Sequence, residues 1–281
     1  MFHSIAHEVD MSRILISAGA VAALVAAGCM HTSHYVSNAF AWTGAVPAGR
    51  WIHLRNLRGD ISVIPSTGTS VEVHASKRWT HDGDAVHFVQ SVGDDGVTIC
   101  TVTSPGDACS PNHYSNRSEH HGGLFSSLFR KHTDARVDFV VSVPAGVNVD
   151  LGDIDGSVRA SGTSGTVDAK VVNGSIEIAS HQGALDLVTV NGSVTAALDT
   201  LPATGNILMK SVNGSITAVL PPKLDGTVSF ETVTGRISNG FPVTTDGATS
   251  TRKLTGTVGA GGSRHIDLST VNGSVTLLKH A

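Results

Sequence analysis

Four short phrases constrain this chain more than anything else in it: "KVVNGSIEI", "VTVNGSVTA", "KSVNGSITA" and "STVNGSVTL". Asn-Gly between apolar runs usually marks a two-residue hairpin turn. Aligned on the glycine, the copies share more than the turn. An apolar residue stands at position 0 and again at +2, +5, +9 and +11, with Asn-Gly-Ser at about +6 to +8. One copy reads Val167, Ala169, Val172, Asn173, Gly174, Ile176, Ile178. The next is Leu185, Leu187, Val190, Asn191, Gly192, Val194, Ala196, and then Ile207, Met209, Val212, Asn213, Gly214, Ile216, Ala218. The copy beginning at Val228 carries Thr234 in the Asn slot, and the one beginning at Ile266 carries Asn272 and Gly273. Weaker copies begin at Val149 and Ile52.

Starts at 149, 167, 185, 207 and 228 are 18, 18, 22 and 21 residues apart. A period near 20 residues is the mark of a solenoid. A hairpin needs alternation that runs unbroken into its turn, and here the apolar alternation slips once, between +2 and +5. The slip predicts a corner, with all five apolar slots facing inward. Asn-Gly predicts a second bend, where Gly or Asn takes φ > 0 at little cost. Stacked coils would lie about 4.8 Å apart and place Asn173, Asn191 and Asn213 to form a side-chain ladder. Each buried apolar side chain contributes roughly 1.5 to 3 kcal/mol before entropy, so no coil is stable alone.

The expected fold is all-β: a parallel β-helix-like solenoid over 146–279, with an irregular, partly antiparallel β section over 50–145. An antiparallel β-sandwich is the competing fold. Within the N-terminal section, "TSVEVHASKRW", "AVHFVQSV" and "GVTICTVT" alternate well and are joined by hairpin-like "THDGD" and "GDDG". "RVDFVVSVP" is a further strand.

Ahead of these lies an address rather than a fold. From Met11, Arg13 supplies a positive region and Ile14 to Ala27 an uncharged run, too short for the roughly 20 apolar residues of a bilayer span. Met1 to Asp10 carries Glu8 and Asp10, so Met11 is the better start for an export signal. "AAGC", ending at Cys29, resembles a bacterial lipobox, which implies a lipidated Cys29 and a tether over 30–49. Met30 rather than Asp follows the cysteine, which favours the outer membrane if the host is Gram-negative. An ordinary cleaved signal is the alternative.

Residues 104–135 break every pattern and read as a loop insertion, with a helical turn at Leu124 to Phe129 and a cluster of His113, His120, His121 and His132. No carboxylate or thiolate spacing turns these histidines into a metal site, and Phe125 and Phe129 are expected to pack on the domain, with insertion into a membrane or a partner as the alternative. An exported compartment permits a bridge between Cys100 and Cys109; two free thiols are the alternative.

Only 15% of residues are charged and the formal balance is -4, so nothing predicts nucleic-acid binding, which rests on Lys and Arg at phosphates. The candidate acids are Asp153, Asp155, Asp168, Glu177, Asp186, Glu231 and Asp267, scattered over different slots. Asp168 and Asp186 share the +1 slot and would stack unfavourably unless Lys170 neutralises them; they are the one hint of a paired-carboxylate site. No phosphate loop or nucleophile elbow is present. The repeated Ser175, Ser193, Ser215 and Ser274 fit turn hydrogen bonding. No catalytic residue and no cofactor is expected.

The "VNGSI/V" copies and the final "LTGTVGAGGSRHIDLSTVNGSVTLLK" resemble the bacterial putative-adhesin domain of unknown function, related to the head-domain auto-transporter adhesin family. The resemblance covers about 50–279. It implies β-helical architecture, secreted or lipid-anchored members and no catalytic residues. The expected function is a lipid-anchored, non-catalytic binding, adhesion or scaffold module for envelope glycan, peptidoglycan or protein. The alternatives are a polysaccharide-active enzyme and an accessory of envelope-stress signalling.

Overall fold

The computed structural model describes residues 35–80, 85–103, 106–111, 113–115, 134–201, 205–245 and 250–280. The signal, Cys29, residues 30–34 of the expected 30–49 tether, and His120, His121, Phe125, Phe129 and His132 lie outside the described residues, while Tyr35–Gly44 of that tether is a paired strand and not a free linker. Every named element is a strand. The first are β1 (Tyr35–Gly44), β2 (Trp51–Arg58), β3 (Ile61–Pro65), β4 (Val71–Trp79) and β5 (His87–Val92). They are followed by β6 (Gly96–Val102), β7 (Ala108–Ser110), β8 (His113–Ser115) and β9 (Arg136–Val143). The repeats supply β10 (Asn148–Asp155), β11 (Val158–Ser161), β12 (Val167–Asn173), β13 (Ile176–His181), β14 (Leu185–Asn191), β15 (Val194–Leu198), β16 (Ile207–Asn213) and β17 (Ile216–Leu220). Last come β18 (Gly226–Thr232), β19 (Ile237–Asn239), β20 (Val243–Thr244), β21 (Lys253–Val258), β22 (His265–Asn272) and β23 (Val275–Lys279).

Each repeat is one coil of a parallel solenoid. A strand such as β12 lies in an eleven-stranded sheet, the chain turns at Asn-Gly-Ser, and β13 lies in a ten-stranded sheet facing it. Copies pair residue for residue: Val167 with Leu185, Leu185 with Ile207, Ile176 with Val194. The longer spacing before Ile207 is absorbed between the coils, so the register survives. Positions 0, +2, +9 and +11 fill the space between the sheets; Leu187, Met209, Phe230 and Val194 are all fully buried.

Two expectations about the coil are corrected. There is no corner between +2 and +5. Alternation runs on through +4, where Val171, Thr189, Ser211, Thr270 and Thr232 point inward and are buried. The +5 residues Val172, Val190, Val212, Val271 and Val233 therefore face outward and are 39–54% exposed. The hydroxyls tolerate burial because each donates to a glycine carbonyl of the neighbouring coil, as Thr189 Oγ1 does to Gly174 O at 2.8 Å and Ser211 Oγ to Gly192 O at 2.9 Å. The bend itself does not need positive φ, which Gly192, Gly214 and Gly273 do not show. It needs room: a Cβ on Gly192 would lie 2.0 Å from Gly174 O. The corner glycines thus form a column so close that no side chain fits.

Stacking order departs from chain order at both ends. β6 pairs with β2, and β9 with β3, so a coil that comes later in the chain lies outside the β2–β3 coil. β4 and β1 continue antiparallel beyond β9, and β5 beyond β6. The expected β4–β5 hairpin does not form, because these strands belong to different sheets. At the other end β22 sits between β16 and β18, and β23 between β17 and β19. The coil that follows β16–β17 in the chain is displaced by one place to admit the last one. Antiparallel β21 and β20 then cover the end of this sheet. Cys100 and Cys109 are bridged, tying β6 to the small β7–β8 hairpin.

Candidate functional site

The outward faces of the coils carry the chemistry, arranged in columns with the solenoid's own spacing. At the corner, the predicted amide ladder is present and longer than expected. Asn191 Nδ2 donates to Asn173 Oδ1, Asn213 Nδ2 to Asn191 Oδ1 and Asn272 Nδ2 to Asn213 Oδ1, at 2.7–2.8 Å. Thr234 ends it by donating to Asn272 Oδ1 at 3.2 Å. The corner serines also serve the next coil: the Ser193, Ser215 and Ser274 amides donate to Ser175, Ser193 and Ser215 Oγ at 3.2–3.3 Å. These are structural roles.

Beside the ladder runs the +5 column. Ile154, Val172, Val190, Val212, Val271 and Val233 form an aliphatic ridge across six coils, each 39–54% exposed. Single exposed aliphatics need no explanation, but a contiguous row of them on one edge does. The opposite wall, on the ten-stranded sheet, stacks Thr195, Thr217 and Thr276 with Ser238 in one outward column. Arg159 and Glu177, an ion pair at 3.5 Å, continue that column.

The +1 column of the eleven-stranded sheet reads His53, Asp150, Asp168, Asp186, Leu208 and Asp267. Asp168 and Asp186 are in register as expected, and Lys170 Nζ grips both Asp168 oxygens at 2.8 Å. Burial raises the Asp168 carboxyl, with Asp150 and Asp186 adding to it, against the lowering by Lys170. Burial opposes the Lys170 charge, yet the bond to Asp168 raises that ammonium. Lys170 thus offsets Asp168, while Asp186 Oδ1 is buried with no hydrogen-bond partner among the described residues. Asp186 and Asp267 stand two strands apart in this column, across Leu208, and line one surface cavity with His265. Asp155 is paired instead with Arg58 at 3.0 Å, on an exposed edge.

Asp153 is placed differently. It is 3% exposed and points inward. Desolvation by burial lifts it to about 7, against the hydrogen bonds from Asn56 Nδ2 and the Asp155 amide. A carboxyl held there has the acidity of a general acid, but it is sealed among Asn56, Gly59 and Gly156, where no substrate reaches it. Among the described residues, no group of three or more His, Cys, Asp or Glu is placed to hold a metal ion.

One cluster escaped the sequence reading. His53 Nδ1 lies 2.7 Å from Asp150 Oδ2, and its Nε2 lies 3.4 Å from Asp95. The Arg55 guanidinium bonds Asp150 and also the Pro111 carbonyl at 2.7 Å. Burial would raise the Asp150 carboxyl, but the bonds from His53 and Arg55 hold it below its usual range. An Asp-oriented imidazole has the form of a catalytic pair, yet His53 is 4% exposed. The cluster is a clasp that joins two coils to the Gly93–Gly96 turn and the disulfide hairpin. Its signal was available: His53 and Asp150 occupy the same +1 slot as Asp168.

Several solved structures resemble the chain. One is a putative cell adhesion protein from Clostridium sporogenes, with 10% identity and a TM-score of 0.43, covering 86% of this chain and 99% of that one. Another is a putative adhesin from Bacteroides fragilis, with 12% identity and a TM-score of 0.27, covering 89% and 99%. The third is a putative adhesin from Parabacteroides merdae, with 11% identity and a TM-score of 0.24, covering 86% and 96%. No curated protein matches the chain. The model of one family matches residues 52–278, most of the chain and nearly all of its coils. This protein belongs to the Toastrack DUF4097 family.

Proposed function

We propose that this chain is a non-catalytic binding module of the cell envelope, held at a membrane by lipid on Cys29, and that it engages an extended envelope glycan or protein along the aliphatic ridge. The observation that carries this is the ridge itself. Six consecutive coils present an aliphatic side chain outward at one slot, while the outward slots on the same strands vary freely between Asp, Lys, Val and Ser. A row of apolar groups beside a row of amides offers an elongated ligand both desolvation and hydrogen bonds at every step. The neutralised Asp168 and the sealed Asp153 support a surface that binds without turning over.

The test is a binding screen against purified peptidoglycan, envelope glycans and envelope protein fractions, using the wild type and a Val190→Asn/Val212→Asn variant. At least about a tenfold loss of affinity is expected in the variant, a change of about 1.4 kcal/mol. Equal binding by both proteins refutes the ridge, and release of product from any polymer refutes the non-catalytic reading. For the anchor, Cys29→Ala protein should leave the membrane fraction; retention there counts against lipidation.

A further inference from the structure

The place filled by β22–β23 is unusual for a solenoid. Both of its walls, the β16–β17 coil and the β18–β19 coil, precede it in the chain. Those two coils are sequence neighbours joined by Pro221–Asp225, yet they are held one coil apart. The occupant arrives on the link Gly259-Ala260-Gly261-Gly262-Ser263-Arg264, in which Gly259, Gly261 and Gly262 all have positive φ. We infer that residues 265–279 exchange between copies of this chain: the last coil of one molecule docks on the β16–β17 coil of another, giving a swapped dimer.

The recognition that fills the slot is local and repeated. Asn272 Nδ2 donates to Asn213 Oδ1, Thr270 Oγ1 to Gly214 O, and the Gly214 amide to Asn272 O. None of these bonds depends on which chain supplies the coil. The heptapeptide Thr270–Thr276, TVNGSVT, is identical to Thr189–Thr195. The β16–β17 coil is therefore flanked on both sides by the same seven residues and is built to accept that phrase. The displaced coil is the weaker rival for the position, since Thr234 replaces the asparagine of the ladder. Opening of the β18–β21 end exposes the slot without disturbing the central coils, a local event of the kind that precedes swapping.

The inference is tested on the full-length protein with Cys29→Ala. Lys210 and Ser269 are register partners facing outward on adjacent strands. The double variant Lys210→Cys/Ser269→Cys should close a disulfide within one chain. A mixture of the two single variants should form the same 210–269 bridge between chains under native conditions, identified by mass spectrometry. It should form at least about tenfold faster than the amides of β12 and β14 exchange by global unfolding. Thr217→Cys with Thr276→Cys repeats the test on the other sheet, should the first pair perturb folding. If the mixed single variants never crosslink, or do so only as fast as global unfolding, coil exchange is wrong.

Discussion

Asp153 makes a prediction whose size follows from its surroundings. The carboxyl is 3% exposed and sits in the inward corner slot that Thr189, Ser211 and Thr270 fill in other coils. Its folded-state acidity lies at about 7, against an ordinary value of 3.8. Between those values the folded protein holds a proton that the unfolded chain has lost, so stability falls as pH rises from about 4 to about 7 and is level above that. The rise from 3.8 to about 7, at about 1.36 kcal/mol per pH unit, puts the total loss on the order of 4 kcal/mol. Asp153→Asn removes the titration and keeps the shape. The amide oxygen still accepts from the Asp155 amide, but the contact with Asn56 Nδ2 becomes donor against donor. That conflict costs about 1 to 2 kcal/mol. The variant should therefore be less stable than wild type near pH 4 by about that amount, and more stable at pH 8 by about 2 to 3 kcal/mol. Urea denaturation of both proteins at half-unit pH intervals gives the difference directly, with the titrating groups not coupled to Asp153 cancelling. A difference that does not change between pH 4 and pH 8 refutes the assignment of a desolvated carboxyl to this corner.

Other expectations follow from the same geometry. Gly192→Ala drives a Cβ to within 2.0 Å of the Gly174 carbonyl; it should cost about 3 kcal/mol or more in chemical denaturation, beyond a surface glycine's response. Asn191→Ala breaks two rungs of the amide ladder at once and should cost about 1 to 2 kcal/mol, against about half that for Asn173→Ala at the ladder's end. Cys100→Ser should lower stability by roughly 2 to 3 kcal/mol, because the bridge closes a short loop, with thermal denaturation under oxidising and reducing conditions as the check. His181 is fully buried against Thr163 Oγ1, and burial depresses its basicity. It therefore stabilises above its ordinary value of 6.5, and this stability is lost as pH falls below that toward the depressed one; His181→Asn should flatten the acid limb of the stability profile.

The solenoid was legible because its bends repeat: Asn-Gly-Ser at a fixed distance from two aliphatic pairs has few other readings. What misled was the assumption that every regular aliphatic faces inward. Val172, Val190 and Val212 are as regular as the core and lie outside it, while Thr189 and Ser211 are inside. Hydropathy cannot show this, since the inward hydroxyl is satisfied by a glycine carbonyl supplied from another coil. The stacking order was hidden for a related reason: coils of equal width fit one another in any sequence. The ladder held the clue. A continuous asparagine column requires Asn272 beside Asn213, which leaves Thr234 for its end. The His53–Asp150 clasp joins residues 97 apart and shows only when the weak copies are aligned with the strong ones.

The interleaved ends also restrict how such a protein can evolve in length. A tandem duplication places the new repeat next to its parent in the gene, and the fold can absorb it only where gene order and position along the axis agree. That holds from β10 through β17 and fails beyond. Relatives that differ in size should therefore gain or lose whole turns in this middle stretch, each changing the reach of the molecule by about 4.8 Å, while both termini stay the same.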